Sequence, residues 1–415
     1  MAHMVATIDV HKKMLAVVVG DAARAGEVQF QRRKFGALDG DLRVLSEWFR
    51  ELGVKEVVME STAQYWKPVW QVLEETGDFH LELAQAQSNQ APKGRKSDFR
   101  DAERLWRRYI AGELRLSFVP DPEQRIWRTQ SRTRMRLTQD RAKLHNQLEA
   151  LLEEMGVKLS SVVSDLLGVS GTRMLRAIAA GETKPEKLAE MADTHLRATQ
   201  EELCNALRAV SKLDQRYRLV LQQFLDRLEL NERQSEELKA QLAKSMNPYS
   251  DQVERVAEIP GMGTDSAQQV IAEIGPQAEK FATDGDLSSW VGVAPGENES
   301  AEENHSDRSA KGNEAMRRIL SEAANAAVKA KGTVFEARYK RMVWRDPKRH
   351  NKAIWAVGHH LCRVIWKVLH DGVRYEERGS RRNPKADKRR ATRLARELKA
   401  LGYTVRKAAA PEARG

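Results

Sequence analysis

Only two cysteines, Cys204 and Cys362, stand in the 415 residues, far apart and with no histidine at ligand spacing. Their scarcity excludes a disulfide framework and a cysteine-rich zinc site, and it fits a reducing compartment. Aromatic residues are also few, 6% of the chain, which argues against a large β-sandwich core. No run of about eighteen apolar residues occurs, so no helical membrane span is expected. No secretory leader opens the chain, and the expectation is a cytoplasmic protein. What is abundant is charge. Lys, Arg, Asp and Glu supply 31% of the residues, and the formal net charge is +11. A surplus of that sign favours polyanionic partners, nucleic acid first among them. The length suits two or three domains.

Residues 5–19 hold two β-branched runs around a polar turn at His11-Lys12-Lys13, which predicts a hairpin. Further strands are expected at Glu56–Glu60 and His80–Ala84, with an amphipathic helix from Ala63 to Glu75 between them. Pro92-Lys93-Gly94-Arg95-Lys96 reads as a basic loop, Ser97 as an N-cap and Asp98–Ile110 as a helix. The alternation describes an α/β domain over residues 1–120, closed by Pro120 and Pro122. Over 121–250 strand formers thin out. Leu137, Leu144, Leu148, Leu151 and Leu152, then Leu219, Leu221, Phe224, Leu228 and Leu230, recur at helical spacing. They predict an all-α region of long helices, either an antiparallel coiled coil or a bundle within one subunit. A mainly α third region, 251–372, opens on Ile259-Pro260-Gly261-Met262-Gly263 and a capped helix from Thr264 or Asp265 to Ile274. A later helix is expected from Lys352 to Leu369. The tail, 373–415, carries fourteen Lys or Arg against five acids, a flexible or weakly helical nucleic-acid contact. Between Lys93 and Lys143 fifteen basic residues face seven acids, with Trp106, Tyr109 and Trp127 interleaved. Charge with stacking rings suits RNA or single strands; core packing is the competing use of the rings, above all Trp106.

Asp9 lies inside an apolar strand, where a carboxylate is costly unless something compensates it. Glu60 ends a second apolar strand. Asp98 and Asp101, three apart on a helix, share a face. A cage of such hard oxygens suits Mg²⁺ or Mn²⁺, and paired ions of this kind stabilise the attacking and leaving oxygens of a phosphodiester. Each acid also has a plainer use: Asp98 and Asp101 as first-turn helix acids, Glu60 as a surface charge.

The order of motifs goes further. Ile8-Asp9-Val10-His11-Lys12-Lys13, then Met59-Glu60-Ser61-Thr62-Ala63-Gln64-Tyr65-Trp66, then Lys96-Ser97-Asp98-Phe99-Arg100-Asp101-Ala102, resembles the N-terminal domain of the DEDD-type insertion-sequence transposases. That family includes Piv-type DNA invertases and the bridge-RNA-guided recombinases. The resemblance implies an RNase H-like, RuvC-like fold and places the metal-binding catalytic acids on Asp9, Glu60, Asp98 and Asp101. The third region resembles the family's C-terminal transposase domain. Residues 259–264 look like its helix-hairpin-helix entry, where backbone amides and a helix N-terminus meet phosphate. Residues 287–295 and 308–320 follow in the family's order, and the family's serine nucleophile falls on Ser300. The family serine is usually followed by glycine; here Ala301, Glu302 and Glu303 follow, which keeps Ser306 and Ser309 as rivals.

The resemblance implies a composite site, a phosphoserine intermediate, a homodimer or homotetramer whose subunits share the site, and a structured guide RNA that selects donor and target DNA. The helical middle is then the dimerisation arm, and the protein associates with a bacterial nucleoid. Nucleic-acid contacts are expected at Lys93, Arg95, Lys96, Arg100, Gly261, Gly263, Arg308, Lys311 and Arg317. The competing readings are a metal-dependent junction resolvase or endonuclease that uses the acids and water alone, and a non-enzymatic nucleic-acid scaffold.

Overall fold

The computed structural model describes residues 3–23, 28–61, 63–89, 97–294, 299–300, 303–304, 312–344, 346–377, 379 and 384–405. The chain divides into two compact units, Met1–Pro120 and Asp121–Gly415.

The first unit is built on a five-stranded mixed sheet in the order β3-β2-β1-β4-β5. Its strands are β1 (Met4–Val10), β2 (Met14–Asp21), β3 (Gln31–Gly36), β4 (Val54–Glu60) and β5 (His80–Ala84). The first three pair antiparallel, while β4 lies parallel to β1 and β5 parallel to β4. The hairpin and both later strands stand where the β-branched runs place them. The helix after β4 runs Trp66–Thr76 (α2), starting later than Ala63 because Ala63 has φ +49°, off the helical path. β3 and the helix α1 (Asp39–Glu51) have no counterpart in the sequence reading. Gln31-Arg32-Arg33-Lys34 shows no apolar alternation because β3 is an exposed, charged edge strand.

Strand period two assigns the sheet's faces. Ala6, Ile8 and Val10, with Leu15, Val17, Val19, Val57 and Met59, pack on Leu42, Leu45 and Phe49 of α1 and Leu73 of α2. The opposite face carries Val5, Thr7 and Asp9 and is covered by α3 (Asp98–Ile110). There Leu105 packs on Val58 and Ala84. Thr7 Oγ1 donates to Ala102 O at 2.8 Å, and Trp106 Nε1 to Val5 O at 3.1 Å.

The second unit is helical apart from the two-residue strands β6 (Glu299–Ser300) and β7 (Glu303–Asn304) among the described residues. Its long helices, α4 (Pro122–Glu154) and α9 (Gln215–Ser245), run antiparallel. Tyr217 Oη donates to Glu154 Oε1 at 2.8 Å, and Asn231 Nδ2 to Leu137 O at 3.1 Å. Leu144, Leu148, Leu152, Leu221 and Leu225 form a core with the short helices α5 (Leu159–Val162), α6 (Val169–Ala179), α7 (Pro185–Ala189) and α8 (Gln200–Ala206). Leu219 and Leu230, expected on the buried stripe, instead face solvent, 63% and 42% exposed. Each lies two residues from a core leucine, about 200° round the helix.

Past α10 (Ser250–Ala257) the Gly-rich turn leads into α11 (Thr264–Ile274). Gly263 occupies the N-cap with no side-chain cap bond, which corrects the expected capped start. Helices α12 (Asp284–Val291), α13 (Glu314–Ala327), α14 (Val334–Val343), α15 (His350–His370) and α16 (Pro384–Ala400) complete the unit. The basic tail is therefore helical over α16. No helix among the described residues is long and apolar enough to cross a membrane.

Gly261 has φ +87°, and a Cβ there would lie 2.3 Å from Ala323 O and 2.6 Å from Ala327 N of α13. Packing of the turn on α13 thus requires glycine. Gly261→Ala is expected to cost about 2–4 kcal/mol from overpacking and left-handed strain, read as a lower urea midpoint. An unchanged midpoint would show that the turn yields freely.

Candidate active site

Asp9 and Glu60 are brought to one face of the sheet by strand period two, Asp9 beside Thr7 and Glu60 beside Val58. On α3 the sheet-facing stripe runs Asp98, Asp101, Ala102, Leu105, Trp106, Tyr109, so the two acids continue the buried stripe at its N-terminal end. Burial of Leu105 and Trp106 and the Thr7 and Trp106 hydrogen bonds fix the helix, and the helix fixes its acids above β1.

The carboxylates are held by a ring of donors. His11 Nε2 lies 3.1 Å from Asp9 Oδ2 and 3.6 Å from Asp98 Oδ1. Lys34 Nζ of β3 lies 3.2 Å from Asp98 Oδ2. Arg104 Nη1 meets Asp101 Oδ1 at 2.8 Å, one turn along α3. Buried Asn89 donates from Nδ2 to Glu60 Oε2 at 2.8 Å. His11, Lys34, Asn89 and Arg104 were not singled out from the sequence. For His11 a signal existed: it follows Asp9 by two residues, so the strand period points both the same way. For Lys34 there was none, since β3 itself was missed.

Among the described residues, Asp9, His11 and Asp98 come within reach of a single ion, whereas Glu60 and Asp101 act on Asp9 through their charge. Burial pushes the Asp9 carboxyl above the usual carboxylate range; His11 opposes this, and Asp101, Glu60 and Asp98 each push the same way as burial. Three like charges therefore act on one half-buried carboxylate. A bound divalent cation would relieve that crowding. Asp9, His11 and Asp98 each offer a ligand atom within 4.8 Å of the others, a spacing one ion can bridge. The donor set, two carboxylates with one imidazole, could hold a divalent cation. Of the expected nucleic-acid contacts in this unit, Arg100 is exposed in the first turn of α3, and Lys93, Arg95 and Lys96 lie outside the described residues.

The expected nucleophile lies in the second unit. The backbone of Ser300 pairs with Glu303 in the β6–β7 hairpin, while Ser306, Ser309, Arg308 and Lys311 lie outside the described residues. The ends of the segment that carries these serines are held together. Asn313 N donates to Trp290 O at 3.1 Å, and a Cβ on Gly312 would fall 2.2 Å from Val291 O. Arg317, an expected nucleic-acid contact, is committed internally: it donates to Gly292 O and lies 4.5 Å from the Trp355 ring.

Beneath these ends lies fully buried Glu273. Arg132 grips it with two bonds, Nε–Oε1 at 2.7 Å and Nη2–Oε2 at 2.8 Å, and Asn313 Nδ2 donates to Oε2 at 2.9 Å. Arg128 Nε lies 3.5 Å from Oε2. The two guanidiniums respond oppositely. Burial pulls Arg128 down to about 10 despite Glu273, whereas the hydrogen bonds of Glu273 raise the more exposed Arg132. Arg128 and Arg132, and Arg134 paired with Asp265, belong to the basic run expected to suit RNA or single strands. Its rings are also engaged internally. Trp106 and Trp127 are buried, Trp127 edge-on to Tyr249, and Tyr109 Oη donates to Glu56 at 2.7 Å.

Comparison with known proteins adds sequence evidence. A family model described as "Transposase", of the DEDD insertion-sequence type, matches residues 6–157. A second, described as "Transposase IS116/IS110/IS902 family", matches residues 253–340. A protein of Pseudomonas aeruginosa named "Probable family 20 transposase" is 24% identical over 330 residues, 78% of this chain and 86% of its own length.

Proposed function

From the premise that the chain belongs to the DEDD-type insertion-sequence transposases and is a DNA transposase, we propose that Asp9, Glu60, Asp98 and Asp101 are its metal-binding catalytic acids and Ser300 its nucleophile. The observation that carries the reading is the gathering of Asp9, His11 and Asp98 ligand atoms within 4.8 Å of one another where α3 packs on β1, with Glu60 of β4 and Asp101 of α3 adding their charge to Asp9. The sheet order, antiparallel through β3, β2 and β1 and parallel through β4 and β5, supports an RNase H-like fold for the first unit.

In this reading the Ser300 hydroxyl attacks a DNA phosphorus. The Oγ–P bond forms, the bond from phosphorus to one bridging DNA oxygen breaks, and the hydroxyl proton leaves to a nearby base while the departing oxygen is protonated. The phosphoserine keeps the phosphodiester's energy, so a DNA hydroxyl from the partner strand reverses the step without ATP. Mg²⁺ or Mn²⁺, when bound, supplies charge stabilisation at the oxygens around phosphorus. Lys34, Asn89 and Arg104 keep the carboxylates aimed before DNA arrives, and His11 would join Asp9 and Asp98 as a ligand of the ion. The chain acts as a homodimer or homotetramer on donor and target DNA selected by a bridge RNA. Sequencing the RNA that copurifies with it tests that last point; RNA that does not map beside its own gene sinks it.

Ser300→Ala is the discriminating variant. It is expected to remove recombination and the covalent protein–DNA adduct on a denaturing gel, with DNA affinity unchanged. Full recombination by that variant with the adduct still present would move the nucleophile to Ser306 or Ser309, and full recombination without any adduct would leave the resolvase-like reading, in which the acids activate water.

A further inference from the structure

Eight of the nine tryptophans are buried or half-buried, whereas Trp344 is 81% exposed. Leaving the largest apolar side chain in water forgoes more burial than any other exposure, so its surroundings decide what it meets. Between Arg338 and Lys352 the sequence carries seven Lys or Arg and one acid. Lys340, Arg341, Lys348, Arg349 and Lys352 are all exposed. The acid, Asp346, is already engaged: Oδ1 accepts from Lys348 N at 3.0 Å, and Oδ2 lies 3.4 Å from Arg349. Positive charge is dense enough here that Arg341 and Arg363, after burial, help to lower Arg338.

The corner is also fixed in shape. Tyr339 Oη and His350 Nδ1 are 2.8 Å apart with the rings edge to face, which ties the middle of α14 to the start of α15. Trp344 N donates to Lys340 O at 3.0 Å, so the backbone that carries the ring is held at the C-terminal end of α14. Trp344 is the only exposed large apolar residue between Phe335 and Asp371 among those described. A protein interface gathers apolar neighbours and excludes lysine at its centre. Arginine is common in such interfaces, but a ring with no other exposed large apolar residue near it in sequence among those described, and with Lys340, Lys348 and Lys352 close by in the chain, is not. It matches a base-stacking platform with phosphate-binding cations around it.

We propose that the α14–α15 corner binds a single-stranded segment of nucleic acid, with one unpaired base stacked on Trp344 and its flanking phosphates met by Arg341, Lys348 and Arg349. Inside a duplex each base is stacked on both faces, so the body of a duplex is a poor occupant, and only its terminal pairs expose a face. The site draws on neither the acidic group nor Ser300, and it stands or falls apart from their roles.

The test uses the full-length chain and short labelled strands of oligouridine RNA, oligothymidine DNA and a blunt DNA duplex, followed by fluorescence anisotropy. Trp344→Ala is expected to weaken single-strand binding about tenfold or more, and Trp344→Phe to retain most of it, because stacking survives on a smaller ring. Lys348→Ala is expected to lessen the salt dependence of single-strand binding by about 0.7 in the log–log slope, the release of one phosphate's counterion. Duplex affinity stays unchanged in each. A loss confined to RNA or to DNA supports the site and names its strand. Single-strand affinity unaltered by Trp344→Ala overturns it, with or without a change in sedimentation, and so does an equal loss for duplex. Because the side chain touches solvent over most of its surface, the Ala variant folds.

Discussion

Asp9→Asn is expected to abolish strand transfer, by about 10³-fold or more, and at the same time to raise the thermal midpoint of the metal-free protein. The first effect follows from removing a carboxylate at the centre of the acidic group. Charge stabilisation by a bound cation is worth several kcal/mol in such reactions, and each 1.36 kcal/mol is tenfold in rate. The second follows from the sign of the Asp9 shift. Burial first, and then Asp101, Glu60 and Asp98, hold its folded pKa above the unfolded value. A carboxylate of that kind subtracts stability at neutral pH, and the loss is relieved as pH falls through the folded pKa. Asparagine keeps the shape and removes the charge. His11 loses its 3.1 Å partner in the exchange, but its opposing influence does not reverse the direction of the shift. Millimolar Mg²⁺ should then raise the midpoint of the parent chain through binding to the folded state alone, EDTA should undo this, and Asp9→Asn should respond little. A variant that keeps strand transfer, or that melts lower without metal and responds to Mg²⁺ as its parent does, would remove Asp9 from the metal site.

The two halves of that acidic group were not equally legible. Asp9 stood out because a charge inside Ile8-Asp9-Val10 breaks an apolar run, and the three-residue spacing of Asp98 and Asp101 needed only a helix to join them. The partners that hold these acids come from elements with weaker signals. Lys34 sits on a charged edge strand that looks like loop, and Asn89 on a single turn of 3₁₀ helix. Net charge misled in a different way. Composition counts every arginine between Lys93 and Lys143 as available to nucleic acid, but Arg128 and Arg132 are spent on Glu273, Arg134 on Asp265 and Arg104 on Asp101. A long-range partner, 141 residues away in the case of Arg132, leaves no periodic trace in the sequence. The same holds for aromatic rings: Trp127 and Trp344 sit in equally basic stretches, yet one is buried and the other is open to water.

Glu273→Ala is expected to destabilise the second unit by about 3–5 kcal/mol, because removing one member of a buried ionic group strands the others. Glu273 itself is fully buried and accepts from Arg132 twice and from Asn313, so its own desolvation is well compensated. Once it is gone, the Arg128 guanidinium, which burial already pulls down to about 10 with Glu273 present, loses the main charge opposing that burial. Asn313 loses a partner as well, and Asn313 is the N-cap of α13 and the residue that ties the far end of the serine segment to Trp290. The variant should therefore show a lower urea midpoint together with weakened recombination at temperatures where it is still folded. Replacing the group together, as Arg128→Met, Arg132→Met and Glu273→Leu, separates charge from packing. Apolar replacement of a whole buried ion group is often neutral or stabilising, so the triple variant should recover much of the midpoint. It should not recover recombination, because no apolar side chain at 273 accepts from Asn313. Equal midpoints for the single and triple variants would mean that the ionic group is not what holds this core. Full recombination by a stable triple variant would mean that the ends of the serine segment need no carboxylate beneath them.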